Sequence, residues 1–149
     1  MEFWQQTFIA CFAVFNFLIF LKGLYEIKKR NPYGLTKYLF FIGAFVWGDM
    51  FVLGPFWIIS SAISLLLNNW YLFLLFVSLF WVIRSLGETI YWLNEQFAFK
   101  NRNPPQTLNF HKLINGEAIW FIYQLFWQCI FVISTVFSVY FINRWLQTL

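Results

Sequence analysis

The sequence predicts an all-α integral membrane protein: a four-helix bundle, up-down-up-down, with both termini extracytoplasmic. Three observations carry that prediction. Residues 3–21, 50–83 and 118–143 contain no Asp, Glu, Lys or Arg, and a charge-free apolar run of about 18 residues or more is long enough to cross a bilayer. Only 11% of the chain is charged while 61% is hydrophobic; a soluble domain usually carries about 25% charged residues to cover its surface. Finally, eight of the ten Lys and Arg residues lie in two short segments at the ends of apolar runs.

Span 1 is expected from about Phe3 to Ile27. The segment Glu26 to Gly34 ends it, because its charges want water and Pro32 disfavours helix at Asn31. Glu2 stands where a cleavable signal would carry basic residues, so the helix reads as retained. Span 2 is expected over about Thr36 to Leu67, kinked at Gly54-Pro55 because Pro55 cannot donate to the carbonyl four residues back.

Asn68-Asn69 reads as a tight turn and a cap for span 3, about Trp70 to Phe99. A loop over residues 100–116 follows, with Asn103-Pro104-Pro105 inside it. Asn115 is expected to cap span 4, residues 117–143, with Glu117 favourably placed in its first turn. These spans fill residues 1–149 as a single transmembrane domain, with no internal repeat and no room for a soluble catalytic domain.

The basic residues orient the bundle. Lys22, Lys28, Lys29, Arg30 and Lys37 lie in or beside loop 28–35, and Lys100, Arg102 and Lys112 in loop 100–116. The positive-inside rule places both loops in the cytoplasm, most simply at a plasma (inner) membrane. Trp4, Trp70 and Trp145 then belong to the outer aromatic belt, and Tyr33 and Tyr38 to the inner one.

Ionisable groups inside lipid cost roughly 2.5–3.5 kcal/mol each at a helix centre and are retained when paired or functional. Asp49, Arg84 and Glu88 are the candidates, with Asn16, Gln124 and Gln128 as neutral companions. At a rise of ~1.5 Å per residue, Asn16 and Arg84 fall within about 2 Å of their span centres, and Asp49 and Gln128 about 3–4 Å away. Glu88 follows at about 6–7 Å and Gln124 at about 9 Å. Arg84, Glu88, Tyr91 and Glu95 share one helical stripe, as do Gln5, Asn16 and Gly23, then Asp49, Ser60 and Ser64, then Glu117, Gln124, Gln128 and Thr135. Polar stripes in an apolar bundle should face one another.

The structural reading makes Asp49 and Arg84 an ion pair and the amides bridges between helices. The functional reading makes the six residues a ligand or ion site. Asp49, Arg84 and Glu88 sum to one excess negative charge, so Glu88 is expected to carry a proton or to be neutralised by a bound cation or amine. Gly54 and Pro55 are the candidate hinge. Ser60-x-x-x-Ser64 and Ser134-x-x-x-Ser138 suit close helix packing. Cys11 and Cys129 read as small buried hydrophobes, and His111 as a solvated loop residue.

No span contains a His that could ligate a haem, and no H-E-x-x-H, G-x-S-x-G or Walker pattern occurs. The sequence therefore implies no cofactor, no metal site and no catalytic set, and an enzyme is the less favoured class. The leading expectation is transport or conduction of a small solute, proton or ion through the polar layer, by a homo-oligomer. A non-catalytic accessory or scaffold subunit, bound to a partner membrane subunit, is the alternative. A lipid-modifying enzyme using Glu95, His111, Lys112 and Glu117 is the third. Membrane lipids are the implied surroundings, and nothing points to nucleic acid.

Overall fold

The computed structural model describes residues 1–36, 38–98, 102–108, 110–114 and 116–148. The sequence readings that rest on Lys37, Lys100 and Asn115 lie outside the described residues. Among the described residues four α-helices carry the fold: α1 (Phe3–Lys28), α2 (Met50–Leu66), α3 (Trp70–Phe97) and α4 (Ala118–Leu146). Phe3–Lys28, Trp47–Leu66, Trp70–Phe97 and Ala118–Leu146 are each long and apolar enough to cross a membrane, the second of them taking in the 3-10 turn that leads into α2, so the chain is an all-α integral membrane protein. Two compact units divide it, one of residues 1–76 with 141–149, the other of residues 77–140.

The first unit is built on an antiparallel seam between α1 and α2. Three contacts fix its register: a Cβ at Gly23 would touch Met50, a Cβ at Gly54 would touch Phe20, and the Phe12 and Trp57 rings meet edge to face at 5.4 Å. The buried residues of α1 are Ile9, Asn16 and Gly23, seven apart, so they lie one above another on a single stripe. On α2 they are Met50, Gly54, Trp57, Ser60, Ser61 and Ser64, the matching stripe. Small residues let the two backbones approach, which is how helices associate where lipid supplies no hydrophobic drive. At the other end of this unit Asn69 accepts a hydrogen bond from the Leu72 N–H at 3.0 Å, capping α3 as its position in sequence suggests.

Span 2 differs from its sequence expectation. Helix does not begin near Thr36; it begins at Met50. Residues 31–36 and 38–49 instead fold on themselves, with an antiparallel bridge between Leu35 and Val46 and single 3-10 turns at Phe40–Ile42 and Trp47–Asp49. The Thr36 N–H donates to Phe45, the Trp47 N–H to Gly34 and the Gly48 N–H to Pro32. Gly43 adopts a positive φ of 80°, which favours glycine and ends the first 3-10 turn. Two side chains complete the wrap: the Thr36 hydroxyl donates to the Ala44 carbonyl at 2.7 Å, and the Trp57 indole N–H to the Ile42 carbonyl at 3.1 Å. Apolar composition alone reads this segment as span; its local hydrogen bonds make it a folded cap.

In the second unit α3 and α4 pack through aromatic stacking. Trp92 stacks on Tyr123 at 4.6 Å, and Trp81 on Trp127 at 6.5 Å. Buried Trp92, Ile119 and Trp120 form a core that Leu108 and Ile114 of the connecting segment cover. Cys11 and Cys129 are free and exposed rather than buried: each sits on a helix surface that faces away from its own unit's core.

Candidate functional site

Arg84 lies within ~1 Å of the centre of α3, counted along its own axis, and Glu88 one turn further on. One turn is the spacing at which helical side chains become neighbours, and Arg84 Nη2 meets Glu88 Oε1 at 3.1 Å. The two side chains remain 25% and 17% exposed. The sequence reading paired Arg84 with Asp49, which belongs to the other compact unit. The Ser85 hydroxyl donates to the Trp81 carbonyl and the Thr89 hydroxyl to the Ser85 carbonyl, so both are held by backbone on the same helix.

The stripe continues to the end of α3. Tyr91 accepts a hydrogen bond on its hydroxyl from the Asn103 side-chain amide. Glu95, only 4% exposed, accepts on its carboxylate from the backbone N–H of Arg102 and of Asn103, each at 3.0 Å. Trp120 of α4 donates its indole N–H to the Asn103 carbonyl at 2.9 Å. One buried carboxylate and one tryptophan thus clamp the Arg102-Asn103 backbone over the helix end. A cleft of about 260 Å³ opens there, lined by Tyr91, Asn94, Glu95, Ala98 and Arg102. One turn beyond Trp92, Gln96 Nε2 donates to Gln124 Oε1 at 2.6 Å, joining α3 to α4.

The remaining predicted residues are placed differently. Asn16 is fully buried in the α1–α2 seam; its amide donates to the Phe12 carbonyl at 2.8 Å, while Oδ1 has no hydrogen-bond partner among the described residues. Asp49 does not lie near a helix centre. With α2 starting at Met50, it is ~13 Å from the middle of that helix. Its carboxylate accepts the N–H of Phe45 at 2.7 Å and of Val46 at 3.1 Å, so it organises the folded cap before α2. Gln128 is exposed on α4. Gly54 and Pro55 lie inside continuous α2, with Gly54 buried against Phe20.

The structure therefore unites Arg84 with Glu88, and Gln124 with Gln96. Asn16 and Asp49 belong to the other unit and stand apart within it: Gly23, which meets the start of α2, is ~10 Å along α1 from Asn16. Asn94, Gln96, Asn103 and Trp120 were not singled out from sequence. Asn94 and Gln96 flank the Glu88–Glu95 stripe on either side rather than sharing it, and only the fold brings up Asn103 and Trp120.

Among the described residues no group of three or more His, Cys, Asp or Glu is placed to hold a metal ion. His111 turns its Nδ1 toward the Leu108 carbonyl at 2.9 Å, and Lys112 is exposed. Neither residue joins Glu95 in the contacts described above. Compared with known protein families, with curated proteins and with solved structures, the chain matches none.

Proposed function

We propose that this membrane protein transports or conducts a proton or small cation along the polar stripe of α3. The observation that carries the reading is the Arg84–Glu88 pair, charged, near the helix centre and still partly accessible. A charge at that depth in lipid costs roughly 2.5–3.5 kcal/mol, and a polar path beside the partly exposed pair would relieve that cost. Tyr91 and Glu95 extend the stripe to the cleft at the helix end, which Asn94 also lines, giving an entrance about 16 Å from Arg84. In this reading Glu88 is the exchangeable carboxylate, Arg84 sets its geometry, and Gln124 and Gln128 supply neutral oxygens. Loops 28–35 and 100–116 face the cytoplasm, so the cleft opens inward. A chain of four helices has little room for an internal pore, and the path is completed between copies.

The test is flux from purified protein in liposomes, followed with a pH-sensitive dye and a panel of monovalent and divalent ions. Wild type should give a signal that Glu88→Gln abolishes. The double swap Arg84→Glu with Glu88→Arg keeps the ion pair but moves the carboxylate by one turn. Flux should fall at least tenfold in the swap while the protein stays folded. A swap that leaves flux unchanged would reduce the pair to structural glue.

A second reading has its own support. Gln128 and Gly87 are both exposed on membrane-spanning helices, and a Cβ at Gly87 would touch nothing within 4 Å. A polar amide and a flat helix surface suit a partner helix, which favours an accessory subunit. A folded protein that passes no ion, and that crosslinks from Gly87→Cys to a different membrane protein, would select this reading.

A further inference from the structure

The folded cap before α2 leaves a recess of about 320 Å³ against α1. Its walls are mainly apolar, from Ile19, Leu35, Leu39 and Trp47, with Lys22 at the edge. Lys22 Nζ lies 4.7 Å from the centroid of the Trp47 ring, a cation–π contact that holds the ammonium over the recess. An ammonium has three N–H donors and no acceptor, so the ring leaves donors for an anion. The recess floor is fixed, because the Thr36 hydroxyl is already committed to Ala44.

Depth identifies the occupant. Lys22 is 18 residues beyond Trp4, or ~27 Å along α1, close to the ~30 Å thickness of a hydrocarbon core. With Trp4 packed on Trp70 in one interfacial belt, Lys22 reaches the opposite boundary, where head groups begin. Exposed Lys28, Lys29 and Arg30 add positive charge beyond it. The nearby carboxylates are engaged: Glu26 accepts from Asn31 at 3.1 Å, and Asp49 from two backbone amides. A greasy wall beneath a cation at that boundary matches an acyl chain beneath a phosphate.

We propose that this recess binds one anionic phospholipid of the phosphatidylglycerol type, its phosphate on Lys22 and an acyl chain along Ile19, Leu39 and Trp47. Net negative charge distinguishes it from zwitterionic lipids, and a boundary lysine is worth roughly fivefold in affinity for an anionic head group. The test is native mass spectrometry of the purified full chain, titrated with phosphatidylglycerol and with phosphatidylcholine of identical acyl chains. Wild type should retain one phosphatidylglycerol at a severalfold lower concentration than phosphatidylcholine. Lys22→Gln should lose about fivefold of that preference, Lys22→Arg should keep it, and the double change Lys28→Gln with Lys29→Gln should leave the one-lipid step in place. A phosphatidylglycerol with a photoreactive acyl chain should label peptides containing Ile19 or Leu39. Equal retention of the two lipids by wild type, an unchanged preference in Lys22→Gln, or labelling confined to other helices would each overturn the proposal.

Discussion

A guanidinium and a carboxylate one turn apart on an apolar helix meet the demand lipid makes on every charge: find a partner or leave. Arg84 and Glu88 find it locally, at 3.1 Å, which frees the pair from depending on another helix for neutrality. Glu95 follows the same logic with different chemistry, its buried carboxylate accepting from two loop amides. Glycine does the corresponding work for packing. A Cβ at Gly54 would stand 2.7 Å from Phe20 Cβ, an atom tied to the α1 backbone that cannot swing aside. Gly54→Ala should therefore cost about 1–3 kcal/mol by overpacking the α1–α2 seam. Gly87→Ala meets nothing within 4 Å and should be neutral or up to about 1 kcal/mol stabilising, since alanine is the better helix former. Thermal unfolding of the two variants in the same detergent checks both signs. A Gly54→Ala protein as stable as wild type would mean that the glycine serves motion, as the hinge reading supposed, and not close packing.

At the scale of elements, α1, α3 and α4 were legible because long charge-free runs leave the backbone no choice but to satisfy itself within a helix. The first part of span 2 was not legible for the same reason turned around. Residues 38–47 are as greasy as any helix here, so hydropathy extends the span to Thr36, while the decisive facts are specific hydrogen bonds. Gly34, Gly43 and Gly48 within a short stretch were the available signal, together with Asp49 placed three and four residues after the amides it binds. The candidate site was legible to the same degree. The one-turn spacing of Arg84 and Glu88 is plain in sequence, whereas the place of Asp49 before α2 was hidden by the assumption that it sat mid-helix. Asp49→Asn tests the revised role. An amide oxygen accepts less strongly than a carboxylate and keeps no charge, so hydrogen bonds worth about 1.5–3 kcal/mol each to a charged group are weakened. Hydrogen exchange at the Phe45 and Val46 amides should accelerate severalfold, while amides in the middle of α2 stay protected. Equal acceleration along α2 would mean instead that Asp49 supports the helix and not the cap.

The whole molecule is an integral membrane protein, and the sidedness we propose for it rests on where charge gathers. Crossing a membrane favours leaving Lys and Arg on the cytoplasmic side, an effect strongest for short loops near span ends. Residues 28–30 are three consecutive cations next to α1, and Arg102 and Lys112 flank the segment between α3 and α4. The opposite ends carry only Arg144. In that proposal four crossings return both termini to the side with fewer basic residues. Cys11 and Cys129 are free, so both are first replaced by Ala to give a silent background. Single cysteines at Lys29, Lys112 and Gln147, all exposed positions, then report sidedness through a membrane-impermeant maleimide applied to intact cells. Lys29→Cys and Lys112→Cys should label only after the membrane is opened, and Gln147→Cys should label at once. Immediate labelling at Lys29 and Lys112 would invert the protein, moving the Glu95 cleft to the outer face and making the α3 stripe a path entered from outside. Labelling of Lys29 and Lys112 on opposite sides would be incompatible with four crossings and would remove one of the apolar helices from the membrane. The residue to suspect first would then lie in α2, the shortest of the four and the one whose beginning is a folded cap.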